Sequence, residues 1–263
     1  MYQWLRKRTM LLQMLKIGLL VYLGFGLVLY LSQRSFMYFQ VPERDTGPGL
    51  AEYLDCGDVR LKIWVVNPGQ PRALLYFGGN AEDVAYNAPD LTRVAPGHTL
   101  YLVNYRGYAG SSGKPNQDGL FADALCVFDM AAARHAGVDV LGRSLGSAVA
   151  VYLASERPVR RLLLATPHDS AVAIGQRLYP VYPVRMLLRD PYPSVDYAPR
   201  VSAPTLLLIA EHDRIIPPEH SRRLAEAFAP GVAQTLVIPR AGHNDLSGYG
   251  AYWDAIGQFL GGD

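Results

Sequence analysis

Three polar residues in this chain stand where an acyl-transfer reaction would need them. Gly142-Arg143-Ser144-Leu145-Gly146 follows the apolar run Val138-Asp139-Val140-Leu141 and opens a second run, Ser147 to Ala154. A serine between two glycines, at a tight turn from a buried strand into a helix, is presented on strained backbone with its hydroxyl exposed at the end of the sheet. A free serine hydroxyl is a weak nucleophile and needs a base that a third group orients. Glu211-His212-Asp213 follows the apolar run Thr205 to Ala210, and Gly242-His243-Asn244-Asp245 follows Thr235 to Ile238. The order Ser144, Asp213, His243 fits a nucleophile, an orienting carboxylate and a general base. Glu211 is an alternative acid and Asp245 an alternative partner of the imidazole. Of the six histidines, only His243 occurs in the place the base requires.

Acyl transfer also needs donors for the oxygen that becomes negative. Leu74-Leu75-Tyr76-Phe77 runs into Gly78-Gly79-Asn80-Ala81 and then into an expected helix, which frees backbone N–H groups at the turn. The N–H of Asn80 and that of Leu145, next after the serine, are the expected oxyanion pair. Asn104 to Gly113 is glycine-rich, but it lacks the G-K-[ST] ending of a phosphate loop and the spacing of a dinucleotide fingerprint. It reads as a structural loop at the floor of the site.

The elements that must hold these residues follow from patterning. Short apolar runs at residues 60–66, 73–77, 99–103, 138–141, 161–165, 205–210 and 235–238 alternate with helix-length stretches at 118–135, 144–155, 220–228 and 250–260. Runs apolar nearly throughout are expected of parallel strands covered on both faces. The alternation predicts an α/β fold with a mostly parallel, doubly wound sheet. The proline- and tyrosine-rich stretch at residues 167–204 departs from the alternation. Its apolar content predicts a short, partly helical cap over a pocket.

Ahead of the catalytic domain, expected at residues 41–263, residues 1–40 read as a membrane anchor. Leu11 to Leu31 is long enough to cross a hydrocarbon core of roughly 30 Å. Ile17 to Leu31 carries no charge, and no small-x-small cleavage site follows it. Tyr2 and Trp4 before the run, and Tyr30, Phe36, Tyr38 and Phe39 after it, are expected at the two interfaces. Arg6, Lys7, Arg8 and Lys16 outnumber Arg34 and Arg44, so the N-terminus is expected in the cytoplasm and the catalytic domain in a periplasm or lumen.

Composition removes other classes. The chain has 263 residues, half of them hydrophobic, enough for one sizeable domain and an appendage. A net charge of +2 lacks the positive field of a nucleic-acid binder. Cys56 and Cys126 suggest neither a disulfide framework nor a zinc site and read as two small buried apolar side chains. No metal site is indicated.

With these motifs in order, the chain from about Arg60 onward resembles an α/β hydrolase. More closely it resembles the bud-emergence-type (Bem-like) serine hydrolases and their bacterial membrane-anchored relatives. Gly79-Asn80-Ala81, Tyr105-Arg106-Gly107-Tyr108, the Ser144 turn, Glu211-His212-Asp213 and Gly242-His243-Asn244-Asp245 carry the resemblance. One departure is Gly78-Gly79, where the family usually has His-Gly. The resemblance implies an esterase, thioesterase or lipase-like activity without metal or organic cofactor and does not fix a substrate. A small-molecule or lipid-like acyl substrate is expected instead because the anchor holds an apolar cap near the bilayer. A peptidase with the same triad and a catalytically silent, membrane-tethered binding protein are the alternatives.

Overall fold

The computed structural model describes residues 2–44 and 46–262. Helix α1 (Tyr2–Met37) precedes an antiparallel pair, β1 (Leu50–Cys56) and β2 (Val59–Val66). Strands and helices then alternate: β3 (Arg72–Phe77), α2 (Ala88–Val94), β4 (His98–Val103), α3 (Gln117–Ala132), β5 (Gly137–Arg143), α4 (Leu145–Glu156) and β6 (Arg161–Ala165). Three short helices, α5 (Ala171–Leu178), α6 (Val184–Leu187) and α7 (Ser194–Tyr197), occupy the insert. The chain closes with β7 (Thr205–Ala210), α8 (Pro218–Ala227), β8 (Ala233–Ile238) and α9 (Gly250–Gly261).

The eight strands form one sheet in the order β1-β2-β4-β3-β5-β6-β7-β8, parallel from β4 to β8. Strands β3 to β7 are buried almost throughout, as expected of strands with a helical layer on each face. One face packs on α3, α4 and α8 through Phe121, Val127, Leu153 and Leu224. The other packs on α2 and α9 through Leu91, Trp253 and Ile256. From β3 the chain first adds β4 on one side and then returns to place β5 on the other. Such a reversal opens a crevice at the carboxyl ends of β3 and β5, the usual place for a ligand in open α/β sheets. The register there pairs Phe77 with Gly142, which sets the turn after β3 beside the turn that bears Ser144.

Several features differ from the sequence reading. Strand β1 has a mixed pattern, Leu50-Ala51-Glu52-Tyr53-Leu54-Asp55-Cys56, because it is a largely solvated edge, and its signal is correspondingly faint. That strand carries Cys56 to α3, where it forms a disulfide with Cys126 across 70 residues, at a Cα–Cα distance of 6.0 Å. The reading of two unpaired apolar thiols is therefore corrected; the pairing depends on an edge strand that periodicity does not reveal. The helix expected directly after Ala81 is delayed by a turn and a 3-10 segment, Val84–Asn87, capped by Asp83. Helix α1 runs well beyond the apolar stretch at both ends.

The aromatic residues around that stretch divide. Trp4, Phe36 and Phe39 are exposed, whereas Tyr38 is buried and its hydroxyl meets that of Tyr192 at 2.8 Å. Tyr38 is thus a core residue rather than an interface one. The side chain of Tyr2 lies outside the described residues.

Candidate active site

Ser144 occupies the single residue between β5 and α4, with φ 51° and ψ −114°. A non-glycine residue is rarely found in that region, and its strain is held by the close packing around it. A Cβ on Gly146 would lie 2.0 Å from the Phe77 carbonyl oxygen, and one on Gly142 would lie 2.3 Å from the Gly146 oxygen. The two glycines let strand and helix approach closely enough to force the turn.

The structure brings the three separated residues together. His243 Nε2 lies 2.9 Å from Ser144 Oγ, and His243 Nδ1 lies 2.7 Å from Asp213 Oδ2. Asp213 and His243 are buried, at 6% and 8% exposure. The other carboxylate oxygen, Oδ1, accepts from the backbone N–H groups of Ile215 at 2.9 Å and Ile216 at 2.7 Å. An ionised carboxylate only accepts, so Nδ1 of His243 carries its proton and Nε2 presents a lone pair to the serine hydroxyl. This geometry can take a proton from Oγ and hold the imidazolium that results. The alternative acids are engaged elsewhere: Glu211 Oε2 accepts from Arg240 N, and Asp245 Oδ1 from Gly242 N.

Asn80 and Leu145 both face the cavity beside Ser144. Leu145 is the first residue of α4, so its N–H has no carbonyl one turn earlier in the helix. The side chain of Asn80 fixes its turn: Oδ1 accepts from Tyr108 Oη at 3.0 Å, from Phe39 N at 2.9 Å and from Ala81 N at 3.1 Å. Tyr105 Oη adds a bond to the Gly78 carbonyl at 2.7 Å. The loop at residues 104–113 therefore braces the turn after β3 from below.

Two residues gain a role that their sequence context left unassigned. Arg143 Nη1 pairs with Glu82 Oε2 at 2.5 Å, and its Nη2 donates to the His243 carbonyl at 3.2 Å. Glu82 in turn accepts from Gly79 N at 2.7 Å, from Asn87 Nδ2 at 2.7 Å and from Tyr76 Oη. Burial works against the Arg143 charge, yet the adjacent Glu82 carboxylate holds its pKa above the ordinary value. One ion pair thus ties the turn after β3, the Ser144 turn and the His243 loop. Opposite charges at residues 82 and 143, in the turn after β3 and beside the serine, were the available signal.

His168 follows β6 at the same edge of the sheet and lines the cavity. Burial pushes its pKa down to about 4, and its Nδ1 has no partner among the described residues. Of the other histidines, His98 bonds Asp139, His135 bonds Tyr101 and His220 bonds Asp169. No group of three or more potential metal ligands occurs among the described residues.

The cavity, about 390 Å³, lies between Ser144 and the insert. That volume suits a small organic ligand. Its walls are mostly apolar and include Ile174, Leu178, Leu188 and Ile216.

No family profile matches the chain. The uncharacterized protein Rv2307c of Mycobacterium tuberculosis is 34% identical over 274 residues, covering 97% of this chain and 96% of its own length. The alpha/beta hydrolase domain-containing protein WAV2 of Arabidopsis thaliana is 29% identical over 231 residues, covering 77% and 75% respectively. Among solved structures, the esterase Pf2001 of Pyrococcus furiosus superposes with a TM-score of 0.69 at 16% identity, over 85% of this chain and 97% of the esterase. The shared sheet topology and the similarity to these relatives establish that the chain belongs to the α/β-hydrolase superfamily.

Proposed function

We propose that the chain is a membrane-anchored serine hydrolase of carboxylic esters or thioesters. The observation that carries this reading is the unbroken series Ser144 Oγ, His243 Nε2, His243 Nδ1 and Asp213 Oδ2, with contacts of 2.9 and 2.7 Å. Ser144 Oγ attacks the acyl carbon as His243 Nε2 takes its proton. The N–H groups of Asn80 and Leu145 receive the developing oxyanion. Collapse of the tetrahedral adduct expels the alcohol or thiol, which takes the proton from His243, and leaves the acyl group on Ser144. Water repeats the sequence: His243 removes its proton, its oxygen attacks the acyl carbon, and the carboxylic acid and Ser144 Oγ–H are released. Asp213 holds one tautomer and stabilises the imidazolium in both halves. The apolar walls favour an acyl chain over a peptide.

The apolar stretch of α1 supports anchoring, being long enough to span a bilayer. The bias of basic residues ahead of it and the disulfide Cys56–Cys126 both favour placing the catalytic domain outside the cytoplasm.

A fluorophosphonate probe tests the central claim. The folded protein is expected to be labelled covalently and Ser144→Ala to show no label. Absence of label on the folded wild-type chain overturns the reading.

A further inference from the structure

Helix α1 is more than a tether, because it is part of the cavity. Gly26, Leu29, Tyr30, Gln33 and Met37 line the space that holds Ser144. Gly26, Tyr30, Gln33 and Met37 follow one another at steps of three or four residues, and Leu29 stands three after Gly26 and four before Gln33, which places the five on one face of the helix. Three of the five, Gly26, Leu29 and Tyr30, lie inside the uncharged stretch Ile17 to Leu31.

The helix is fastened to the insert along that face. Tyr22 and Tyr182 stack at 4.5 Å between ring centroids. Their hydroxyls donate to the carbonyls of Val181 and Tyr22, both at 2.9 Å. A Cβ on Gly26 would lie 2.7 Å from the Tyr182 ring, so this glycine permits the close approach. Farther along, Gln33 Oε1 accepts from Arg189 N at 2.7 Å, and Arg34 pairs with Asp190 at 2.9 Å. Phe39, just past the helix, reaches the Asn80 side chain that braces the turn after β3.

This docking has a consequence for depth. The insert meets α1 from Tyr22 onward, about halfway along the stretch from Leu11 to Leu31. At 1.5 Å per residue, the contacted half is about 15 Å long, comparable to one leaflet of a hydrocarbon core. A helix that spans the bilayer therefore carries the insert into it. The insert's surface agrees: Val181 is 70% exposed, Met186 is 84% exposed, and Leu178 is also exposed, with Ile215 of the loop after β7 exposed as well. Apolar surface of this kind beside a spanning helix suits acyl chains rather than water.

We infer that α1 is a wall of the acyl site and that the substrate is a bilayer-resident long-chain acyl ester or thioester, whose chain enters from the lipid between α1 and the insert. The inference rests on the serine-hydrolase reading. The scissile carbonyl reaches Ser144 while the chain lies along Leu29, Tyr30 and the insert helices. Tyr22, Gly26 and Gln33 hold the wall in place, and Leu29 sets the chain length that fits.

The test uses the full chain in phosphatidylcholine vesicles, with ethyl and hexadecyl fluorophosphonates, the latter bearing a diazirine near its chain end. Ser144 Oγ displaces fluoride from phosphorus while its proton passes to His243, so labelling needs no turnover. Photolysis of the hexadecyl adduct is expected to cross-link to the peptide containing residues 22–37. Leu29→Trp should lower the hexadecyl-to-ethyl ratio of labelling rates by about tenfold or more, as a pocket that loses room for several methylenes should. Leu27→Trp, exposed and off the pocket face, should leave the ratio as in wild type. Labelling with no cross-link to α1 and an unchanged ratio in Leu29→Trp overturns the inference and leaves the hydrolase reading standing. Failure of both probes to label folded protein removes the hydrolase reading and this inference with it.

Discussion

At the scale of single residues, the site depends on groups outside the reacting series. Glu82 and Arg143 are mostly buried and join three loops, so loss of one partner leaves the other's charge uncompensated. Glu82→Gln keeps the shape and an acceptor for Gly79 N but removes the charge that holds Arg143. Misplacement of catalytic groups by a fraction of an ångström lowers turnover more than binding. The expected result is a fall in kcat of roughly tenfold or more with KM changed little; equal changes in the two would deny the positioning role. His168 makes a second residue-scale prediction. Its folded pKa of about 4 lies below the ordinary 6.5 because burial disfavours the imidazolium. The unfolded chain therefore binds a proton that the folded chain refuses between these values. Stability from this source is complete above about 6.5 and is lost as pH falls toward 4, by roughly 3 kcal/mol. Replacing His168 by Phe should flatten that part of the pH dependence of the urea midpoint, and an unchanged slope from pH 6.5 to 4 would show that another group carries it.

At the scale of elements, the strand-to-helix turn is where packing and function meet. Gly146→Ala would drive a methyl group into the Phe77 carbonyl, which belongs to the central strand β3 and has nowhere to move. Overpacking of this kind is expected to cost about 1–3 kcal/mol or more, read as a lowered Tm. Gly248→Ala meets nothing within 4 Å and should stay within about 0.5 kcal/mol of wild type. The central elements were legible in sequence because β3 to β7 are buried on both faces and spell nearly unbroken apolar runs. Ser144 and Asp213 stood out for the same reason, since each comes just past such a run, whereas His243 follows the mostly exposed edge strand β8 and stood out by its Gly-His-Asn-Asp context and its place in the order Ser, Asp, His. Strand β1 was not, because an edge with one solvated face mixes Glu52 and Asp55 among its apolar residues. The pair Glu82 and Arg143 escaped as well: each charge alone looks like a surface residue, and only the register of β3 against β5 sets them side by side.

At the scale of the whole molecule, two long-range links join the ends of the architecture: α1 against the insert, and Cys56 against Cys126. Neither was apparent from local pattern, because both join segments that pattern treats separately. The disulfide closes a separation of 70 residues between the edge strand and α3. In a chain-entropy estimate, a loop of that size contributes about 4 kcal/mol by restricting the unfolded chain. Cys56→Ser with Cys126→Ser is therefore expected to lower the stability of the purified protein by about 2–5 kcal/mol while leaving the Ser144 site assembled. The same bond also reports location, because disulfides persist in oxidising compartments and are rare in a reducing cytoplasm. Alkylation in intact cells, followed by denaturation, reduction and a second, heavier alkylating reagent, separates the possibilities. Both cysteines should escape the first reagent and take the second if the catalytic domain faces outward. In Cys56→Ser, the half-buried Cys126 should instead react with a membrane-impermeant maleimide added outside the cell. Free thiols on both residues in wild-type cells, with no outside labelling of the variant, would place the domain in the cytoplasm and reverse the orientation that the basic residues ahead of α1 favour.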